Sequence, residues 1–304
     1  MKLPSVTYDL TKESFRSSER NGDNMMTVLN IIKDENKGLV KKILSCIKPY
    51  KIDTEMKQYG DFSIYTIHYY QRKGKIRTDK IYDIKRGKNK VILCDKNINL
   101  FNTPFRRFTS NALKRKLMQN YLFDVLKKAN IDPSVLRISY YDPDAEFPSL
   151  ARALLDYTSN LTVVTDMPKF YENEAERIFA SCGASVTVSN HIDHLYPCDI
   201  LISPAVIRKP ISAAASTLIF TVQRPTVTVT GNVICDYKIN LSNEYQSIIP
   251  DYIDEDYFLS GLYVICKQNN LGKYIPYACG NQFELYSPEI IIRQIRAKCM
   301  ISVV

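Results

Sequence analysis

Apolar positions change their spacing once along this chain, near residue 107. Upstream, residues 28–47 carry apolar side chains at helical spacing and read as a helix. Residues 62–70 alternate in part, 76–84 are set off from them by Gly74, and 91–94 follow Gly87. Together these three runs read as a small antiparallel sheet. Downstream, residues 111–129 place Leu113, Leu117, Tyr121, Val125 and Ala129 on one stripe of an amphipathic helix. Ser110 is placed to cap its start, and Asn130 with Pro133 ends it. Elements then alternate: strand 135–141, helix 147–157, strand 161–165, helix 168–182 closed by Gly183, and strand 185–189. A short helical turn reaches Tyr196 before strands 199–203 and 217–222. Residues 227–241 read as a hairpin turning at Gly231–Asn232. Residues 254–268 and 288–298 read as helices capped by Asp254 and Ser287.

Short apolar strands alternating with helices imply βαβ units and a parallel sheet covered on both faces. The expected fold class is therefore α/β: a Rossmann-like parallel sheet preceded by a basic region with antiparallel strands. Three segments follow: polar residues 1–24, expected to be disordered, a basic region 25–106, and an α/β domain 107–304. Met25 or Met26 is an alternative start to Met1. An apolar content of 45% over 304 residues is enough for a substantial core. The longest run without an acidic or basic side chain, residues 178–192, is too short and polar to span a bilayer. With no apolar leader at the N-terminus, a cytoplasmic protein without a membrane partner is expected.

The net charge of +9 conceals an asymmetry. Residues 1–130 hold 28 Lys/Arg against 13 Asp/Glu, whereas residues 131–304 hold 13 against 19. Opposite-charge halves permit a homo-oligomer in which one copy's basic half meets another's acidic half. Within the basic half, the segment 72–90 carries nine basic residues and two acidic ones beside Tyr65, Tyr69, Tyr70 and Tyr82. Such a patch suits phosphate binding with base stacking, with Arg72, Lys73, Lys75, Arg77, Arg86 and Lys88 as the nucleic-acid contacts. The simpler reading is a solvated hairpin, because charge alone is a non-specific signal.

The eight cysteines include no CxxC pair, and free core thiols are expected. No two of the ten glycines lie closer than eight residues apart, which excludes GxGxxG, GxxxxGK[ST] and GxSxG. HExxH is missing too.

The stretch LTVVTDMPKFYENEAERIFASCGASVTVSN, followed by CDILISP, resembles part of a known domain. Residues 136–204 are similar to the nucleotide-binding halves of shikimate-dehydrogenase-like and amino-acid-dehydrogenase-like Rossmann domains. That resemblance implies LRISYY as the first strand and YDPDAEF as the phosphate-binding turn. Where the family places glycines, this chain has Asp142, Pro143, Asp144, Ala145, Glu146 and Phe147. Asp166, near the end of the second strand, would accept a ribose 2′-OH, and Ser203 ends the fourth. Asp166 two residues before Pro168, and Asp144 ahead of Pro148, are also placed as helix N-caps, the favoured reading for Asp166. The family's catalytic lysine and aspartate have no counterparts here.

Two further chemistries need weighing. Asp95, Asp142, Asp144 and Asp166 fall at strand ends, where clustered carboxylates hold Mg²⁺ in phosphoryl-transfer enzymes. Asp is equally common there because it starts turns. His191, His194 and Cys198 form the best metal-ligand spacing, with Asp193 or Asp199 as a fourth group, although a plain surface turn explains them and no metal is expected. The leading expectation is a binding or regulatory protein on a Rossmann-like scaffold without a cofactor. The alternatives are an NAD(P)- or nucleotide-dependent oxidoreductase-like enzyme with an atypical phosphate loop, and a nucleic-acid-binding protein acting through residues 72–90.

Overall fold

The computed structural model describes residues 24–33, 50–71, 76–85, 90–101 and 103–301. They fold as two compact units, one built from residues up to Leu113 with Leu241–Gly272, the other from Lys114–Asn240 with residues from Lys273 onward.

The first unit is organised by β1 (Met25–Lys33), a central strand flanked on both sides. β2 (Tyr50–Tyr59) is a mostly exposed edge strand, antiparallel to β3 (Phe62–Gln71). β3 runs parallel to β1 from Met25↔Ser63 to Lys33↔Gln71. After the helix α1 (Thr78–Lys85), β4 (Val91–Cys94) pairs parallel with β1, and β5 (Arg106–Arg107) parallel with β4. The sheet is therefore mixed, and only its β2–β3 pair is antiparallel.

Two expectations fail here. Residues 28–33 belong to a strand rather than a helix, and the remainder of the expected helix lies outside the described residues. A strand buried on both faces shows a continuous apolar run, which spacing alone does not separate from a buried helix. Residues 78–85 form a helix rather than a strand, with Asp79 in its first turn and Ile81 buried against Leu29, Ile67, Tyr69, Ile92 and Phe105.

The second unit opens with α2 (Ala112–Ala129), where Ser110 Oγ accepts from the Ala112 N–H. Then come β6 (Arg137–Tyr141), α3 (Pro148–Leu154), β7 (Asn160–Val164), α4 (Pro168–Cys182) and β8 (Val186–Ser189). Gly183 closes α4 in the left-handed conformation at φ +71°, as its position in the sequence implied. A 3₁₀ turn over Ile192–Leu195 leads to β9 (Ile200–Ser203), β10 (Ile211–Ser212), β11 (Leu218–Thr221), β12 (Val229–Thr230) and β13 (Asn232–Ile234).

Six of these strands form one parallel sheet in the order β13-β11-β9-β6-β7-β8. Numbered within the sheet, that order is 3-2-1-4-5-6 read from β8 to β13, the doubly wound Rossmann order. Ile138, Ser139, Tyr140 and Tyr141 are all buried, so both faces are covered. At the amino end, Asp199 accepts from Arg137 N, Nε and Nη2 at 2.9–3.2 Å, joining the two central strands.

The expected hairpin over 227–241 is also corrected. β12 pairs parallel with β10, β13 parallel with β11, and β14 (Asp236–Lys238) antiparallel with β15 (Ala278–Gly280). The turn glycine is real: Gly231 has φ +116°, and a Cβ there would sit 2.7 Å from Ile219 Cδ1. It redirects the chain between two sheets instead of folding it back on itself.

The chain returns to the first unit with α5 (Asn243–Gln246) and α6 (Glu255–Val264), whose Asp254 cap accepts from the Tyr257 N–H. β16 (Leu285–Tyr286), paired with β15, and α7 (Pro288–Ile301) finish the second unit. There Arg296 donates to the carbonyls of Lys128 and Ala129 at the end of α2. Among the described residues, no helix is long and apolar enough to cross a membrane.

Candidate functional site

In a doubly wound sheet ligands bind past the carboxyl ends of the strands, where the strand order reverses. Here that crevice lies between the loops after β6 and β9. The β6 loop is built around Asp142, which is fully buried. Its Oδ1 accepts from Glu146 N at 3.1 Å, and its Oδ2 accepts from Phe147 N at 2.8 Å and the Tyr171 hydroxyl at 2.7 Å. Burial raises the carboxyl above its ordinary range, against the opposing pull of these three donors. Ala145 holds φ +52° in the same turn, and Phe147 is buried. Tyr140 donates its hydroxyl to the Phe147 carbonyl.

The neighbouring carboxylates behave differently. Asp144 is exposed and meets Arg208 at 3.4 Å, while Asp166 accepts from Lys209 Nζ at 2.6 Å. Both cations come from the loop after β9, so the crevice is spanned by two ion pairs. The hydrogen bond to Asp166 raises the Lys209 pKa. Neither aspartate caps a helix, contrary to expectation: the cap positions are Phe147 and Met167, and neither helix has a side-chain cap bond. Asp142 instead holds the turn that leads into α3, accepting from the N–H groups of Glu146 and Phe147 just before the helix.

Ser203 is buried, its hydroxyl within reach of the Tyr141 and Ala205 carbonyls, which fits it for packing the strand end. Arg115, in the first turn of α2, donates to the Pro204 carbonyl and lies 3.8 Å over the Phe147 ring. The Tyr141 hydroxyl is buried without a hydrogen-bond partner among the described residues, in an apolar cluster with Val164, Ile207 and Ile211. Arg115, Tyr171, Arg208 and Lys209 went unread in the sequence. The basic doublet Arg208-Lys209, just past the fourth strand, was the available signal.

The other expected groups do not assemble. Asp95 belongs to the first unit, where its Oδ1 accepts from Asn97 N. No three His, Cys, Asp or Glu side chains among the described residues are placed to hold a metal ion. The His191 and His194 rings are 5.4 Å apart, but His194 Nδ1 is engaged with Ser189 Oγ at 2.6 Å. Burial pushes the Cys198 thiol up to about 11, away from the thiolate a metal needs. Arg77 is held by Asp79 through contacts of 3.1 and 2.8 Å. Arg72, Lys73, Lys75, Arg86 and Lys88 lie outside the described residues.

No family model and no curated protein matches the chain. Similar solved structures include quinate dehydrogenase from Corynebacterium glutamicum in complex with NAD, at 10% identity and a TM-score of 0.26 over 65% of this chain and 80% of that one. A shikimate dehydrogenase in complex with NADP+ has 9% identity and a TM-score of 0.29, covering 92% and 96%. A phosphoglycerate oxidoreductase from Vibrio cholerae has 9% identity and a TM-score of 0.33, covering 82% and 98%. The fold assignment rests on the strand order, to which these likenesses add nothing. By that order the chain carries a Rossmann-like α/β domain, with a first βα turn that holds a buried aspartate in place of glycines.

Proposed function

We propose that this chain is a binding or regulatory protein whose Rossmann-like domain does not take NAD(P) in the usual pose. One observation carries the reading: the Asp142 carboxylate already occupies the N–H groups of Glu146 and Phe147. In a dinucleotide site the corresponding turn offers free backbone amides and glycine-sized space to the pyrophosphate. Here a side-chain carboxyl has taken the place of the ligand anion, and Pro148 removes a further N–H from the first turn of α3.

The remaining residues point the same way. Ala145 and Phe147 put side chains where glycines would leave room. Exposed Asp144 and Glu146 would each repel a phosphate about 5 Å away by roughly 1–3 kcal/mol at an effective dielectric of 20–80. The two ion pairs contribute less, because exposed pairs are worth about 0–1 kcal/mol and a ligand can displace them. The competing reading, an oxidoreductase, draws on the NAD(P) named with the similar structures and needs this turn to rearrange.

Calorimetry with NAD, NADP and their reduced forms separates the two readings. The expected result is no binding at about 1 mM. A dissociation constant below about 100 μM, weakened by Asp166→Ala, would overturn the exclusion of NAD(P) and favour the oxidoreductase reading.

A further inference from the structure

A second concavity lies past the carboxyl ends of β11 and β13, two or more strands away from the turn after β6. It shares no lining residue with the Asp142 loop, so it is a separate place on the same sheet edge. Its volume is about 460 Å³, within the range of small-molecule sites. Val227, Val229, Val233, Pro225 and Cys235 give it an apolar lining. Lys114, Arg224 and Asp236 supply its charged groups.

The charges are the informative part. Lys114 Nζ stands 4.0 Å from Asp236 Oδ1, so these two cancel within the cleft. Arg224 is exposed and lies 5.7 Å over the ring of Phe283. The lining therefore carries one uncompensated positive charge beside an apolar wall. Phe283 is 78% exposed, at the rim of the same cleft. The loop bearing it is held in shape by Asn281, whose Oδ1 accepts from Phe283 N and Glu284 N at 2.8 and 3.0 Å. An exposed aromatic on a pinned loop beside a guanidinium offers a ready-made face for an apolar ligand body, because little ordering is needed on binding.

We infer that this cleft binds a small monoanionic carboxylate with an apolar body, its carboxylate on Arg224 and its body against the valines and Phe283. A guanidinium recognises a carboxylate through two parallel N–H donors, and a partly enclosed apolar wall strengthens that contact. A dianion finds only one uncompensated cation here, and a neutral ligand lacks the ionic part of the contact with Arg224. The site is independent of the Asp142 turn, so exclusion of NAD(P) and binding in this cleft can each fail alone.

The test uses the full chain and 3-phenylpropanoate as probe, with 3-phenylpropan-1-ol and phenyl phosphate as comparisons, by calorimetry and saturation-transfer NMR. The acid is expected to bind with a dissociation constant below about 1 mM, about threefold tighter than the alcohol and tighter than phenyl phosphate. Arg224→Gln should weaken the acid about threefold, the scale of an exposed ion pair, and weaken the alcohol less. No binding of the acid at about 5 mM, equal binding of acid and alcohol, tighter binding of phenyl phosphate, or an unaffected Arg224→Gln variant would each overturn the inference. The acid–alcohol comparison needs only the native chain, so it decides the matter even if the variant does not fold.

Discussion

The Tyr171 hydroxyl donates to Asp142 Oδ2 at 2.7 Å, and both side chains are buried. That bond ties the loop after β6 to α4, the helix that follows the next strand. With the Glu146 and Phe147 N–H groups it encloses the carboxylate by three donors. The loop holds its shape around this buried carboxyl group.

Removing this carboxyl group should therefore unsettle the loop. Asp142→Ala leaves the buried Phe147 N–H, the partly buried Glu146 N–H and one buried hydroxyl without this acceptor, and is expected to cost about 2–4 kcal/mol. Tyr171→Phe, which removes one donor only, is expected to cost about 0.5–1.5 kcal/mol. Urea denaturation monitored by circular dichroism measures both, and an Asp142→Ala variant as stable as the native chain would refute this account of the loop.

The same aspartate gives a pH dependence with a defined sign. Burial holds Asp142 above its ordinary value in the folded chain. The folded state therefore binds more protons, and its contribution to stability is fully present below the unfolded pKa of about 3.9. It is lost as pH rises through the raised folded value. Relative to Asp142→Asn, the native chain should be most favoured near pH 4 and lose ground toward neutrality. Denaturation at a series of pH values gives the difference, and a slope of opposite sign would show that the three donors outweigh burial.

Lys209 and Asp166 are each about half exposed. Lys209→Ala is expected to change stability by less than about 1 kcal/mol, because solvent screens the pair and ordering two side chains offsets the attraction. A thermal melt reads this directly. A larger loss would mean that the pair closes the crevice as a structural clasp.

Cys94, Cys198, Cys235, Cys266 and Cys279 are free and buried. Burial raises all five, Cys198 to about 11 and Cys266 and Cys279 to about 12. At pH 7.5 a thiol reagent should leave these five unmodified in the native chain and find all eight cysteines after unfolding. Peptide mapping of the modified protein checks it, and rapid native labelling at any of the five would contradict their burial.

Gly231→Ala is expected to destabilise the second unit by about 1–3 kcal/mol. The left-handed φ of +116° disfavours any side chain, and the new Cβ would press on Ile219 and the Thr217 carbonyl. Denaturant titration measures the loss. An unchanged midpoint would show that the chain turns there without needing glycine.

Most of the α/β half was legible in the sequence, because its elements announce themselves locally. Pro168 starts α4 and Gly183 ends it, and the short apolar strands 137–141, 160–164 and 200–203 carry their own pattern. Local signals failed where two structures share one pattern. The apolar run at 25–33 suits a helix or a doubly buried strand, and only pairing with β3 and β4 selects the strand. The glycine turn at 231 was visible, but its flanks pair elsewhere because β10 and β11 offer them buried edges.

The site divides in the same way. By itself the sequence determined that the glycine fingerprint is missing and that carboxylates stand in its place. It assigned Asp142, Asp144 and Asp166 one common character, as three aspartates at strand ends. Only the tertiary structure separated them: Asp142 turns inward to loop N–H groups and Tyr171, while Asp144 and Asp166 face cations from a loop more than forty residues away. An aspartate's role depends on which donors surround it and how much water it keeps, and those are set by chain segments distant in sequence. For the same reason the Arg224 cleft had no sequence signature, since its lining comes from four separate segments that meet only when the sheet is assembled.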